Sequence, residues 1–306
     1  MKKRAKPNRV IDAMLHAAVF GALLAPPSGV VLFGPGSNEV KLITAKLAAR
    51  AGYSASYICG AGEEQTARAL LYGKDYANAG VDEPGNVQLV VTSEQISAAL
   101  NECAALVVVA DNSPVTATAV PLLLENAPKL ERVALLSKCG TTRATAGFLG
   151  LGKGDVEIRE GEERLAAALK ARDVPLSVVR VGALKGGGPG AVEGGSVVDG
   201  VDKGLAKYYY DTLYELETAM TTQSYDKFTN GAALAGGDAV DPRPPPLQMA
   251  TRGSFDARED EASRVVAANC LLAALRQPAA TEVTLSAAKA PEPPTDAEWD
   301  ALFAAA

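Results

Sequence analysis

Up to Val181 the chain alternates short strand-like runs with stretches of helical periodicity, and few folds accept that alternation. The runs are Val30–Phe33, Ser54–Cys59, Val87–Thr92, Ala105–Ala110, Arg132–Ser137 and Leu176–Val181. Several are almost unbroken Val, Leu and Ala, the pattern of strands buried on both faces of a parallel sheet. Parallel neighbours need crossover connections. The segments Glu39–Ala51, Glu63–Gly73, Glu94–Ala104, Val115–Ala127 and Asp155–Ala171 read as the helices that supply them, with Ser93 as the cap of the third. The expected fold is α/β, with a doubly wound parallel sheet. At 306 residues and 48% hydrophobic, the chain has material for one large core with a C-terminal extension.

The first run breaks into a glycine-containing turn and then into helical sequence: Val30-Val31-Leu32-Phe33-Gly34-Pro35-Gly36-Ser37-Asn38-Glu39-Val40. Such a turn lets the backbone approach a ligand, and the helix after it offers free N–H groups and a partial positive charge to a diphosphate. Gly34, Gly36, Ser37 and Asn38 are the residues expected to face that group. The spacing departs from the dinucleotide fingerprint, whose third glycine, where helix and strand pack closely, is here Glu39. That side chain adds bulk and negative charge. The helix places Val40, Ile43, Leu47 and Ala51 on one face and stops at Gly52. The second run ends at Cys59-Gly60-Ala61-Gly62-Glu63-Glu64, with Arg68 beyond. That is where such folds choose between a free ribose and a 2′-phosphate. With acids and a base both at hand, NAD and NADP are not distinguished.

The succession Val30–Val40, Val87–Ser93, Ala105–Ala110, Arg132–Ser137, and then Gly161-Glu162-Glu163-Arg164-Leu165 leading to Leu176-Ser177-Val178-Val179-Arg180-Val181-Gly182, resembles the atypical short-chain dehydrogenase/reductase family of NAD(P)-binding Rossmann proteins. The resemblance covers residues 28–190, with weaker support from Phe255 to Leu285. Its most specific piece is the charged helix leading into apolar-Arg-x-Gly. The tail Pro291–Trp299 is similar to that of algal plastid members. The resemblance implies an NAD(P)(H) cofactor, with Thr92 and Ser93 beside the adenine and Ala110 and Ser137 along the route to the nicotinamide. Members that reduce carbonyls use a serine at the end of the fifth strand and a Tyr-x-x-x-Lys helix, tyrosine as acid and lysine lowering its pKa. Ser137 takes the serine's place. Yet none of the nine tyrosines is followed by lysine four residues on, and none lies between Tyr76 and Tyr208. The helix expected to carry the pair holds Glu157, Glu160, Glu162 and Glu163 instead, read as a solvated face. Ser137 is then a cofactor or backbone hydrogen-bonder; Lys138 and Lys153 read as surface lysines, with an ammonium near the nicotinamide ribose as the rival reading, a carboxylate of the glutamate-rich helix is the alternative base, and no catalytic residue is assigned. Two readings stand. One is an NAD(P)H-dependent oxidoreductase without the usual Ser-Tyr-Lys site. The other is a catalytically silent assembly or accessory subunit, which the resemblance would place in a larger plastid membrane complex.

Four segments are expected: 1–27 as a basic and apolar N-terminal helix, 28–190 as the dinucleotide-binding core, 191–290 as an extension completing the domain, and 291–306 as a tail helix. The N-terminal segment, basic through Arg9 and apolar from Ala13 to Ala25, reads as a retained helix that covers the domain or touches a protein partner or membrane surface, or as a presequence remnant. His16 is the only histidine and has no evident partner as a base. A net charge of −6 argues against a nucleic-acid footprint. Cys59, Cys103, Cys139 and Cys270 form no C-x-x-C pair, so neither a metal site nor a disulfide framework is indicated; they read as buried small hydrophobes in a reducing compartment. No stretch spans a membrane.

Beyond Arg180, Lys185–Gly195 reads as a loop over the sheet edge, either a lid or a passive surface loop. Tyr208–Tyr214 begins a helical segment whose aromatics serve a protein partner or pack the extension. Gly231–Pro246 reads as an irregular connection, Leu247–Thr251 as an edge strand, Ala262–Leu275 as an amphipathic helix with Val265, Val266, Asn269, Leu272 and Leu275 on its face, and Glu282–Leu285 as a short strand. In the tail, Thr295 and Glu298 form a capping box. Trp299, Leu302 and Phe303 are then set to dock on the domain or on another subunit.

Overall fold

The computed structural model describes residues 29–60, 62–73, 87–145, 153–188, 192–193, 196–197, 204–206, 209, 225–250 and 256–306. The strands are β1 (Gly29–Phe33), β2 (Ser54–Ile58), β3 (Gln88–Val90), β4 (Ala105–Val109), β5 (Arg132–Lys138), β6 (Leu176–Val181), β7 (Ala183–Lys185), β8 (Val192–Glu193), β9 (Ser196–Val197), β10 (Gly231–Gly236), β11 (Glu261–Ser263) and β12 (Glu282–Ala288). The helices are α1 (Asn38–Arg50), α2 (Glu64–Tyr72), α3 (Ser93–Asn101), α4 (Ala119–Glu125), α5 (Lys153–Lys170), α6 (Pro245–Ala250), α7 (Arg264–Arg276) and α8 (Asp296–Ala305).

Eight strands form the central sheet in the order β10-β12-β6-β5-β4-β1-β2-β3. All neighbours are parallel except β10 and β12. The chain winds outward from β1 through β2 to β3, returns to β4 on the other side of β1, and winds outward again, so the direction reverses between β1 and β4. The β1 run is apolar throughout because both its faces are covered: Val30 and Leu32 enter one core with α1, α2, α7 and α8, while Val31 enters the other with α3, α4 and α5. β4 alternates likewise, Val107 and Val109 against Leu106 and Val108.

Several local expectations need correcting. Helix α1 is buried nearly all round, with Lys41, Leu42, Thr44 and Lys46 inside as well as Val40 and Ile43, because the Ala-rich α7 packs along it. Thr92, and not Ser93, caps α3, in a capping box with Gln95. Leu247–Ala250 lies in helix α6 and not in an edge strand. Gly231–Gly236 is the edge strand, antiparallel to β12 in a register pairing Gly231 with Ala288 and Gly236 with Val283. A Cβ at Gly231 would stand 2.9 Å from the Ala288 carbonyl oxygen; this Ala/Gly run forms a strand by fitting a partner, with no β-branched residue to announce it. The first residues of the expected loop at 185–195 are fixed: β7 pairs with β11, and the Asp226 carboxylate accepts the Gly187 and Gly188 N–H groups at 2.7 and 2.9 Å.

The tail docks as one of its two expectations had it. Thr295 and Glu298 make the capping box, Trp299 and Phe303 are buried, and their ring centroids lie 6.4 Å apart. The N-terminal segment 1–27, His16, and all of Tyr208–Tyr214 save the buried Tyr209 lie outside the described residues.

Candidate functional site

A cleft of about 810 Å³ opens at the C-terminal edge of the sheet, beside the reversal between β1 and β4. Its floor is the turn from Phe33 to Glu39, and its walls come from Tyr57–Gly60 at the end of β2, Asp111 and Asn112 after β4, Leu184 of β7 and Arg264 of α7. Gly34 has φ +135°, and a Cβ there would stand 2.1 Å from the Val109 carbonyl oxygen. Only glycine permits so close a pass over β4. The Gly36 N–H donates to that same oxygen at 2.8 Å. The turn is thereby locked to β4, and α1 begins directly after it.

The start of α1 is charged in both senses. The Ser37 N–H donates to Asp111 Oδ1 at 2.8 Å, and the Ser37 hydroxyl donates to Glu39 Oε2 at 3.1 Å. Lys41, buried one turn on, donates from Nζ to the Gly34 carbonyl at 2.6 Å and sits 5.7 Å from the Tyr57 ring centroid. Burial lowers the Lys41 pKa, against the pull of Glu63, Asp111 and Glu39. Burial raises the Asp111 pKa, opposed by the Ser37 N–H and by Arg264. The Glu63 carboxylate folds back to accept the Gly60 N–H at 3.1 Å, and burial, then Glu63, raises the Tyr57 pKa. Helix geometry leaves the Asn38, Glu39 and Val40 amides without earlier carbonyl partners in α1.

Of the residues expected at a cofactor, Gly34, Gly36, Ser37 and Asn38 line this cleft together. The others stand elsewhere. Thr92 and Ser93 form the start of α3 beyond the edge strand β3. Ala110 is buried and donates its N–H to the Leu136 carbonyl at 2.8 Å. Ser137 is fully buried, and its hydroxyl donates to Glu162.

That contact belongs to a closed polar network between β5, β6 and α5. Arg180 meets Glu162 through two hydrogen bonds of 3.0 and 2.9 Å and donates to Thr141 Oγ1 at 2.7 Å. Its Nε reaches the half-exposed Glu282 at 2.9 Å. The glutamate-rich helix is thus solvated only in part: Glu157, Glu160 and Glu163 are exposed, but Glu162 is buried. Lys138 pairs with Asp155 at 2.6 Å, and Lys153 with Glu157 at 3.7 Å.

Lys41, Asp111 and Arg264 are charged cleft residues that sequence reasoning missed, and Tyr57, Asn112 and Leu184 were missed beside them. Asp111 carried a signal, since it stands two residues past β4, the strand that neighbours β1. Arg264 carried none, because β11 and α7 reach the cleft from the far end of the chain. Among the described residues no His, Cys, Asp and Glu group suits a metal ion, and no helix is long and apolar enough to cross a membrane.

Fold and site together define a Rossmann-type α/β protein. No family model matches the chain, and no curated protein does. Solved structures similar to it include a short-chain dehydrogenase/reductase from Veillonella parvula in complex with NADP, at 12% identity and TM-score 0.45, covering 84% of this chain and 94% of that one. An epimerase from Methanothermobacter thermautotrophicus aligns at 12% identity and TM-score 0.48, over 92% of this chain and 84% of that one. A UDP-glucuronic acid 4-epimerase from Bacillus cereus, solved with NAD, aligns at 11% identity and TM-score 0.48, over 85% and 79%. At these identities the likeness is one of fold.

Proposed function

We propose that the cleft binds a nicotinamide dinucleotide, NAD(P)(H), with its diphosphate against Gly34–Asn38. The observation that carries this reading is the meeting of three features at one place: a glycine turn locked to β4, the N-terminus of a long helix, and the reversal of strand order. In open α/β sheets that place is the ligand crevice. The chain's residues fit the group. A side chain at Gly34 or Gly36 would collide with Val109, the α1 amides are anion donors, and Lys41 and Arg264 are the cations of the cleft. The bound cofactor would supply hydride chemistry. Glu63 suits a ribose hydroxyl and repels a 2′-phosphate, while Arg68, the base expected to attract one, is paired with Glu64 at 3.1 Å; both support NAD(H) over NADP(H).

For activity, two readings follow. The first is an oxidoreductase of the atypical short-chain dehydrogenase/reductase kind that works without a Tyr-x-x-x-Lys pair. The second, favoured by the commitment of Ser137 to Glu162, is a silent binding module that acts as an accessory subunit. Fluorescence titration with NADH and NADPH tests the shared part: saturable binding, tighter for NADH, is expected, and its absence with both removes the dinucleotide. A hydride-transfer substrate screen then separates enzyme from module.

A further inference from the structure

We propose that Asp111 is a built-in competitor for the anion of the cleft: its carboxylate takes the Ser37 N–H that a diphosphate would use, and the ligand seats only when that side chain swings aside. The inference rests on the dinucleotide reading above.

Two contacts of the Asp111 carboxylate carry it. The first is the hydrogen bond from Ser37 N–H to Asp111 Oδ1, 2.8 Å long, at the first turn of α1. The second concerns Gly36. In dinucleotide folds the second glycine of the turn lacks a side chain so that the backbone can approach the diphosphate. Here a Cβ on Gly36 would lie 2.3 Å from Asp111 Oδ1. That side of Gly36 is closed by the Val109 carbonyl, 2.8 Å from the same Cβ, and by a carboxylate oxygen of the protein itself, which brings to the turn the charge that a phosphate oxygen would bring.

The surroundings sharpen the competition. Glu39 accepts the Ser37 hydroxyl, so both donors of Ser37 end on protein acids. A diphosphate added beside Asp111 and Glu39 meets two negative charges at close range, which Lys41 and Arg264 offset only in part. Lys41 Nζ is held by the Gly34 carbonyl. Arg264 gives one guanidinium nitrogen to the Gly186 carbonyl at 2.8 Å, while its Nε is buried without a hydrogen-bond partner among the described residues. Removing Asp111 from Ser37 requires rotation of one short side chain and leaves β4 in place.

A purely structural role predicts something different. A carboxylate that only caps α1 stabilises the helix by about 1 kcal/mol, and neutralising it costs stability without improving any ligand. A competitor, once neutralised, improves the ligand.

The test titrates the wild-type chain and Asp111→Asn with NADH and with ADP-ribose at one pH and ionic strength. Asn keeps the size and the oxygen acceptor and discards the charge. Affinity for both probes is expected to rise about ten-fold or more in the variant, including the case in which only the variant saturates. Equal or weaker binding by the variant, with saturable binding by wild type, overturns the inference and leaves the dinucleotide reading intact. No saturable binding by either protein overturns both. Asp111→Ser, also uncharged, is the second variant where Asn disturbs the fold, and the same outcomes decide.

Discussion

Replacing Glu162 with Gln tests whether the polar network behind Ser137 is structural. Arg180 is 3% exposed and Glu162 7% exposed. The two share a pair of hydrogen bonds, and Ser137 and Thr141 both have Glu162 Oε1 in reach. Gln keeps the volume and removes the charge, leaving a buried guanidinium whose remaining counter-charge is Glu282, half exposed and well screened. Breaking a buried ion pair on one side costs about 3–5 kcal/mol, because the surviving charge is stranded. For a chain of this length, unfolding entropy converts 1 kcal/mol into roughly 2 °C, so the melting temperature of Glu162→Gln is expected to fall by roughly 5–10 °C in differential scanning fluorimetry. The double variant Glu162→Leu with Arg180→Met strands no charge and is expected to recover most of the loss. A Glu162→Gln protein within about 1 kcal/mol of wild type by denaturant titration refutes the reasoning: the pair would then be wet or loosely held, and the Ser137 hydroxyl open to other work.

Trp299→Ala removes the largest anchor of α8 and is expected to cost about 3–5 kcal/mol, with faster hydrogen exchange over residues 296–305; unchanged exchange there means the tail docks by other contacts. All four cysteines are buried, with thiol pKa values raised by burial, Cys103 and Cys139 to about 12. A chromogenic disulfide reagent at pH 8 is therefore expected to release four equivalents only after denaturant is added, and a burst in native buffer contradicts the packing. Because burial raises the Asp111 pKa above its ordinary 3.8, the folded state binds that proton more tightly than the unfolded one. The Asp111 contribution to stability is then largest below pH 3.8 and falls as pH rises through the folded value. The stability of wild type minus that of Asp111→Asn should decline upward from about pH 4, and a rise over that window overturns the sign.

Much of the fold was legible because two signals coincided. In β1, β4 and β5, apolar content comes from burial on both faces, and each run is followed by a helix that covers one of them, so composition and order say the same thing. Where a segment owes its state to a partner, the sequence was silent. Gly231–Gly236 has small residues that fit against β12 and would look the same in a loop. Helix α1 read as one-faced because Lys41 and Lys46 interrupt its apolar surface; both are buried, their ammonium groups bonded to the Gly34 and Gly204 carbonyls at 2.6 and 2.8 Å. Nothing within the helix foretells α7 lying along it.

The candidate site divides along the same line. The turn Gly34–Asn38 was legible because its requirement is local: a backbone that must pass over Val109 needs glycine whatever else is nearby. The role of Ser137 was not, because a hydroxyl takes its role from the group it donates to, and that group, Glu162, was read from the helical charge run as a solvated acid. Glu162 is buried because Arg180 on β6 faces it, and Arg180 belonged to the apolar-Arg-x-Gly stretch that gave the family resemblance its most specific piece. The feature that most suggested a dehydrogenase-like site is thus the one that ties up the serine such a site would use. Position in a motif fixes where a side chain stands; the charge opposite decides what it can do.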